Sequence, residues 1–299
     1  MKTTLECLPC YMKQALFAAR LSTHDPDLQK RILRRAALLL PTLDLSLSPP
    51  ENSMPLYSMI AELSGCADPF AELKAKSNAD AMQLRPHLEK TISISNDPLL
   101  TAARFAIAGN IIDYGSQHDF DADKTIGACL QQPIAVNDFD RFTADLKQAR
   151  NILYLGDNCG ELVFDGLLID LLAKTIDPAK KIILALKDGP IINDALMTDA
   201  VACGLDRSCK LISNGTNCPG TPLAKCSSAF LKVFNEADLI ISKGQGNYET
   251  LSETAAPLYF LLTVKCPVVG SYISMQSGTV RPLTGNSEMV LMKSCNKEP

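Results

Sequence analysis

The stretch "YLGDNCGELVFDGLLIDLLAK", from Tyr154 to Lys174, has the pattern of a strand end, a sharp turn and a long helix. Many α/β proteins bind a phosphate at such a turn. Here the turn carries an acid, an amide and a second acid, at Asp157, Asn158 and Glu161. Because these groups repel a phosphate, the turn suggests that a cation binds here as well.

Short apolar runs alternate with amphipathic segments from residue 149 onward. Five runs are predicted to be strands: "NILYLGD", "KIILALK", "KLISNG", "ADLIISKG" and "LYFLLTVKCPVVG". Continuous apolar strands separated by helices predict a parallel sheet that is covered on both faces, with right-handed crossovers. We therefore predict that residues 149–299 form an α/β domain with a Rossmann-like, doubly wound, mostly parallel sheet.

The first half of the chain has a different spacing of apolar residues. Its apolar residues recur at helical spacing, and the segment 97–115 opens with Asp97 as an N-cap and Pro98 at the first helical position. No segment before residue 149 has a convincing strand pattern. We predict a helical N-terminal domain over residues 1–148.

Composition excludes several classes of protein. The 299 residues are 46% hydrophobic and 21% charged, as in ordinary globular proteins. The net charge is −4 without a basic block, which argues against nucleic-acid binding, and no apolar run is long enough for a membrane span. The N-terminus lacks a signal-peptide layout, and the eleven scattered cysteines favour reduced thiols, so we expect a cytoplasmic protein.

Polar residues follow the predicted strands, where parallel sheets bind their ligands. Hard oxygen donors suited to a divalent metal ion are Asp157, Asn158 and Asp194. Groups suited to an anionic oxygen are Ser213, Asn214, Gly215, Lys243, Gly244, Gln245, Gly246 and Asn247. A metal beside an anion-binding loop is typical of phosphoryl chemistry.

Each of these residues also has a structural interpretation. Asp157 and Asn158 can cap a helix, and Asp194 can cap a helix that begins at Ala195. Lys243 can be a solvated strand end. Cys7 and Cys10 form a C-x-x-C at the start of a helix, and packing, metal binding and thiol redox chemistry all stay open for them. Cys159 is interpreted as a small residue of the turn, because no histidine lies near it in sequence.

Five motifs in one order carry a resemblance to a known family. They are "AIAGNIIDYG" (Ala106 to Gly115), "LGDNCGELVFD" (Leu155 to Asp165), "GPIINDALMTDA" (Gly189 to Ala200), "SNGTNCPGTPL" (Ser213 to Leu223) and "ISKGQGNYETL" (Ile241 to Leu251). Together they resemble the damage-control phosphatases, also described as domain of unknown function 89. The N-terminal "CLPCYMKQAL" is similar to the short, stand-alone prokaryotic branch.

The resemblance implies a metal-dependent phosphatase that acts on small phosphorylated metabolites, sugar phosphates among them. It implies that Asp157, Asn158 and Asp194 hold the metal ion and that Lys243 contacts the phosphate. Asn110 of the helical half is implied to reach the same cleft. The family commonly has alanine where this chain has Cys159, which exposes the site to oxidation if the thiol is reactive.

Our hypothesis is hydrolysis of a phosphate monoester at a single divalent ion: Mn²⁺, Co²⁺, Ni²⁺ or Mg²⁺. The nucleophile is either a water on the metal, oriented by Glu161 or Asp188, or the carboxylate of Asp157. The second of these lacks the D-x-D pattern of the aspartyl-phosphate phosphatases.

Two other functions stay open at this point. An S-adenosylmethionine-dependent methyltransferase is one, because "ILYLGDNCGE" loosely resembles a glycine-rich turn, although it has only Gly156 and Gly160. A non-catalytic protein that binds a phosphorylated metabolite is the other.

Overall fold

A mostly parallel sheet organises the fold in the computed structural model, which describes residues 1–109, 122–175, 181–279 and 281–294. Its strands are β1 (Ile134–Asn137), β2 (Asn151–Leu155), β3 (Lys181–Leu186), β4 (Lys210–Ser213), β5 (Leu239–Lys243), β6 (Leu258–Val264) and β7 (Glu288–Lys293). Their order across the sheet is β1-β7-β6-β5-β2-β3-β4. All neighbouring strands pair in parallel except β6 and β7, which are antiparallel.

Helices precede the sheet and cover both of its faces. They are α1 (Cys7–Ser22), α2 (Pro26–Leu39), α3 (Pro49–Ser64), α4 (Ala71–Ser93), α5 (Pro98–Ala108), α6 (Ala122–Gln131), α7 (Phe139–Gln148), α8 (Glu161–Thr175), α9 (Met197–Ala202), α10 (Ser228–Glu236), α11 (Gly244–Leu251) and α12 (Pro267–Ser277). One face packs on a cluster that includes α4, α5 and α8, and the other packs on α10, α11 and α12. The predicted doubly wound α/β fold is confirmed.

The apolar strands are the reason for this burial on both faces. Every residue of β5 and β6 is buried, as expected for continuous apolar runs rather than alternating ones. α8 is apolar almost all round, and it contacts α4 and α5 on its outer side. Each leucine of these elements contributes about 1.5–3 kcal/mol by leaving water.

The switch point of the sheet lies between β2 and β5. The chain proceeds from β2 to β3 and β4 on one side, and it then returns to β5 and β6 on the other. In such sheets the crevice at the carboxyl ends of these two strands is where ligands bind. The residues that follow β2 and β5 are Gly156 to Asn158 and Gly244 to Asn247.

The first half of the chain combines a separate helical cluster with parts of the sheet layer. α1, α2 and α3 form their own apolar core around Tyr11, Ile32 and Ile60. The expectation that this half contains no strand was wrong, because β1 pairs with β7 at the sheet edge. β1 has only four residues of alternating burial, too few for a clear period in sequence. The division at residue 148 stays a prediction.

Two further elements were missed. β7 was not recognised, although Met289 to Met292 are buried in it. The run "LYFLLTVKCPVVG" was read as one strand, but β6 ends at Val264 and α12 starts at Pro267, where proline suits the first helical position. None of the described helices combines the length and apolarity needed to cross a membrane.

Candidate functional site

Two loops that are far apart in sequence are joined at the carboxyl end of β2. The backbone N–H of Cys159 donates to the carbonyl of Asn193 at 2.9 Å, and that of Ala195 donates to the carbonyl of Asp157 at 2.8 Å. This antiparallel bridge sets Asn158 opposite Asp194. The Nδ2 of Asn158 also donates to Oδ2 of Asp157 at 2.8 Å. The three predicted metal ligands therefore lie together, and all three are buried.

The loop before Asp194 is strained. Ile192 has a φ of 38°, which a β-branched residue rarely adopts. A residue keeps such a backbone conformation only where the surrounding contacts stabilise it, and residues of this kind are found most often at functional sites. The alternative that Asp194 caps a helix starting at Ala195 was wrong, because α9 begins at Met197 with Leu196 at its N-cap position.

The chain leaving β5 contacts the same carboxylate. Gly244 begins α11 with a φ of 78°, in the left-handed region that favours glycine. A Cβ at this position would lie 1.9 Å from Oδ2 of Asp157 and 2.2 Å from its Cγ. Glycine is therefore required here both by backbone conformation and by the close approach of the two strand ends.

A buried ionic network lies beneath this point. The Nζ of Lys243 contacts the carboxylates of Glu161 and Asp165, at 2.8 Å from Oδ1 of the latter, and donates to the carbonyl of Ala106 at 2.5 Å. The hydroxyl of Tyr154 donates to the same Asp165 oxygen at 2.7 Å. Lys243 is fully buried, so the alternative of a solvated strand end was wrong. It is absent from the cavity lining described below, and its contact with a phosphate stays a prediction.

The acids of the site are held in an environment that disfavours their charged forms. Burial, together with the nearby Glu161 and Asp194 carboxylates, raises the pKa of Asp157 well above its usual value. Burial raises the pKa of Asp194 to about 6, against the opposing effect of Lys187, whose Nζ lies 3.6 Å from its Oδ2. Burial likewise raises the pKa of Asp165 to about 6, despite Lys243.

Three buried carboxylate oxygens in this region have no hydrogen-bond partner among the described residues: Oε2 of Glu161, Oδ2 of Asp165 and Oδ2 of Asp194. A buried unsatisfied carboxylate oxygen is costly unless something compensates it. A cation beside Asp157 and Asp194 is such a compensation, because it favours the ionised carboxylates.

The donor set fits a hard divalent ion. Asp157 and Asp194 supply carboxylate oxygens and Asn158 supplies an amide, as Mg²⁺ and Mn²⁺ prefer. Among the described residues, no cluster of three or more His, Cys, Asp or Glu side chains is arranged to hold a metal ion. Two carboxylates and one amide are a small set, and an ion held by them would keep several positions for water or substrate.

A cavity of about 330 Å³ opens onto the three ligands. Its floor includes Asp157, Asn158 and Asp194, and one wall carries Gln245, Gly246, Glu249, Lys265 and Cys266. The opposite wall comes from the first half of the chain, with Cys7, Cys10, Tyr11 and Gln14 of α1 and Pro49, Ser53 and Tyr57 of α3. The helical cluster therefore forms the roof of the strand-end crevice.

Other predicted phosphate ligands lie elsewhere. The side chains of Ser213 and Asn214 accept hydrogen bonds from the N–H groups of Gly215 and Thr216 within their own turn. Asn247 is buried, and its side chain bonds to the carbonyls of Gly156 and Lys243. These residues and Gly215 are not part of the cavity lining, and phosphate binding by them stays a prediction. Asn110 lies outside the described residues.

Sequence reasoning gave no role to three residues of this region. Lys265 follows β6 and lines the cavity, and it would have been found had the end of that strand been placed correctly. Lys187 follows β3 and is buried beside Asp194. The side chain of Asn78 in α4 accepts a hydrogen bond from the N–H of Gly160 at 2.7 Å. The two residues are 82 positions apart, so no local sequence pattern predicts this contact.

The cysteines of the site divide into two kinds. Burial raises the pKa of the Cys159 thiol, so its thiol stays protonated and poorly reactive. That agrees with its interpretation as a small residue of the turn. Cys7 and Cys10 line the cavity from the first turn of α1, and burial raises the pKa of Cys10. Their role stays open.

Comparison with known proteins gives a consistent result. Residues 3–279 match the model of the "damage-control phosphatase ARMT1-like domain". A damage-control phosphatase from Pyrococcus horikoshii is 34% identical over 94% of this chain and 97% of its own. One from Archaeoglobus fulgidus is 31% identical over 93% of this chain and 97% of its own. The crystal structure of a DUF89 family protein from Pyrococcus horikoshii superposes with a TM-score of 0.88 at 32% identity, covering 99% of this chain and all of that one.

Proposed function

This chain belongs to the damage-control phosphatase family, and from that premise we propose that it is a metal-dependent hydrolase of phosphate monoesters of small metabolites. The observation that carries the proposal is the burial of Asp157, Asn158 and Asp194 side by side at the floor of an open cavity. The buried carboxylates of Asp157 and Asp194 supply the negative charge that a cation needs. Family membership also decides between the two enzymatic interpretations of the β2 turn, in favour of the phosphatase.

Asp157, Asn158 and Asp194 would hold the divalent ion, with Mn²⁺, Co²⁺, Ni²⁺ and Mg²⁺ all compatible with oxygen donors. When bound, the ion neutralises the acids and polarises the phosphoryl oxygens. Lys187 keeps the carboxylate of Asp194 in place, and its Nζ also donates to the carbonyl of Gly220, which lines the cavity.

The phosphate is bound by groups on the cavity wall. Lys265 supplies the positive charge, and Gln245 and Gly246 supply amide groups at the start of α11, where helix N–H groups favour anions. Gln245 is already fixed in this position, because its Oε1 accepts the backbone N–H of Lys265 at 3.0 Å. Lys243 acts from below by neutralising Glu161 and Asp165.

Glu161 is the better candidate for orienting an attacking water. It is buried next to the ligand turn, and no residue in the described part of the chain bonds to its Oε2. Asp188 is exposed, accepts a hydrogen bond from Ser213 at 2.6 Å, and is not part of the cavity lining. A cavity of about 330 Å³ is near the lower limit of ligand sites, which suits a sugar phosphate better than a larger cofactor.

The test is hydrolysis of a generic phosphomonoester by the full chain with each of the four ions and with a chelator. We expect turnover that requires the ion, and Asp194→Ala should reduce it by at least 100-fold. Asp206→Ala is the matched control, since Asp206 is an exposed acid remote from the cavity. Calorimetric titration with Mn²⁺ should show that Asp194→Ala loses metal binding. Turnover in chelator, or full activity of Asp194→Ala, contradicts the proposal.

A panel of phosphorylated metabolites then addresses the substrate. Sugar phosphates should be hydrolysed with the highest kcat/KM. Tight binding of inorganic phosphate without turnover in any metal would instead identify a binding protein.

A further inference from the structure

Glu249 is a carboxylic acid of the cavity wall that the chemistry described so far does not use. It lies on α11, half-buried, and it lines the same cavity as Asp157 and Asp194. Its carboxylate accepts a hydrogen bond from Nε2 of Gln245 at 2.9 Å. Gln245 and Glu249 are four residues apart, so they occupy one face of the helix.

The position of α11 relates Glu249 to the reacting centre. The helix begins at Gly244, whose Cα packs against the Asp157 carboxylate. Glu249 follows about 7.5 Å further along the helix axis at 1.5 Å per residue, and helical side chains tilt back toward the N-terminus. Its carboxyl group therefore leans toward the end of the helix that contacts Asp157, and it borders the same cavity as the proposed metal ligands.

Asp157 and Asp194 also line the cavity, but the proposed function assigns both carboxylates to the metal ion. Four further acidic groups of the lining are unsuited to giving up a proton near neutral pH. A side-chain hydrogen bond from Thr4 lowers the pKa of Glu6, which keeps it ionised. Burial raises the pKa values of Cys10, Tyr11 and Tyr57, which makes them weak acids. No histidine lines the cavity within the described part of the chain.

Glu249 has the property that these groups lack. Burial raises the pKa of its carboxyl group to about 7, although the hydrogen bond from Gln245 opposes this shift. The charged and titratable groups around it are the Met1 amine, Glu51 of α3, Cys10 and Tyr11 of α1, Glu253 after α11, and Lys265 and Cys266 after β6. General acids work best when their pKa is close to the working pH.

We propose that Glu249 is the general acid that protonates the leaving oxygen, and that the substrates are therefore phosphates of ordinary alcohols. The proposal rests on the phosphatase function proposed above. The oxygen of water forms a bond to phosphorus and releases one proton to solvent, while the bond from phosphorus to the ester oxygen breaks. The electron pair of the broken bond stays on that oxygen, which takes the proton of Glu249 and leaves as an alcohol. The half-buried carboxylate regains a proton from solvent.

A general acid matters in proportion to how poor the leaving group is. An alkoxide is a strong base and needs protonation, whereas 4-nitrophenolate leaves readily without it. Loss of a general acid costs about 10²- to 10⁴-fold in rate where proton transfer is needed. A residue that only supports the fold would instead affect all substrates alike.

The experiment compares Glu249→Gln with the full-length parent protein on 4-nitrophenyl phosphate, phenyl phosphate and glycerol phosphate at saturating Mn²⁺. We expect kcat/KM for glycerol phosphate to fall at least 100-fold and that for 4-nitrophenyl phosphate to fall less than 10-fold. Glu253→Gln is the matched control: Glu253 follows the end of α11, is 62% exposed and accepts a hydrogen bond from Tyr272. It should behave like the parent protein on all three substrates. Equal losses on the three substrates would overturn the proposal.

The pH profile gives a second measurement. With glycerol phosphate, kcat/KM of the parent protein should fall as pH rises above about 7, because Glu249 loses its proton. Gln245→Leu removes a hydrogen bond that favours the ionised form of Glu249, so the fall in kcat/KM should move to higher pH. This measurement does not depend on the folding of Glu249→Gln. An unchanged profile in Gln245→Leu refutes the role of Glu249. Absence of metal-dependent turnover in the parent protein would refute the phosphatase function itself. That result differs from a failure of the Glu249 proposal alone, in which the parent protein is active but the variants do not behave as expected.

Discussion

Replacing Gly244 by alanine tests whether the approach of α11 to Asp157 builds the metal site. The new Cβ would lie 1.9 Å from Oδ2 of Asp157, so the carboxylate has to move. A positive φ costs alanine about 1–2 kcal/mol and overpacking costs about 1–3 kcal/mol, which together predict a loss of about 2–5 kcal/mol. Displacing the carboxylate should also weaken Mn²⁺ binding by about 10- to 100-fold.

Gly278→Ala separates the two contributions. Gly278 has a φ of 65°, but a Cβ there would have no atom within 4 Å. Urea unfolding in chelator should therefore show only the backbone cost of about 1–2 kcal/mol, and calorimetry should show unchanged Mn²⁺ binding. Combining Gly244→Ala with Asp157→Ala should reduce the cost of the glycine change toward that of Gly278→Ala. If Gly244→Ala binds Mn²⁺ as tightly as the parent protein, the reasoning fails.

Three further changes follow from the buried charges and the cavity wall. Lys243→Met should lower the free energy of unfolding, measured in urea, by about 3–5 kcal/mol, because it leaves two buried carboxylates unpaired. Its control Lys232→Met, at a 76% exposed position, should lower it by under about 0.5 kcal/mol. The pKa of Asp165 is raised to about 6, so the stability that its protonated form contributes is lost as pH rises through 6. In chelator, the free energy of unfolding should therefore fall less between pH 4 and pH 7 in Asp165→Asn than in the parent protein. Lys265→Ala should raise the KM for phosphate esters about 10-fold through loss of a charge-assisted contact, and Lys210→Ala, at the opposite end of the sheet, should leave it unchanged.

The fold was predictable where a local pattern was long. Apolar runs of β2, β3 and β5 and the long helix α8 repeat one period over enough residues to be recognised. β1 and β7 were not recognised: β1 has four residues at the sheet edge, and β7 pairs with β6 in the antiparallel sense, unlike the other neighbouring strands. Tertiary pairing decides such segments more than their own propensity does.

The candidate site was predictable at the strand ends and not beyond them. Asp157, Asn158 and Asp194 were identified from their positions after β2 and β3, because parallel strands bring their carboxyl ends to one edge. Lys243 was identified from the same rule, but it forms ion pairs with Glu161 and Asp165 below the cavity. The direction of a lysine side chain depends on what packs around it, and here one of its partners, Ala106, is 137 residues away.

The sequence by itself determined the doubly wound sheet, the turn that gathers an acid and an amide, and the family resemblance, since each of these is carried by neighbouring residues. Only the tertiary structure decided that Gly244 must lack a side chain beside Asp157, that the helical cluster roofs the cavity, and that Glu249 and Lys265 face it. The physical reason is that burial, the pKa of a carboxyl group and the shape of a cavity are set by contacts between segments that the chain brings together only when it folds.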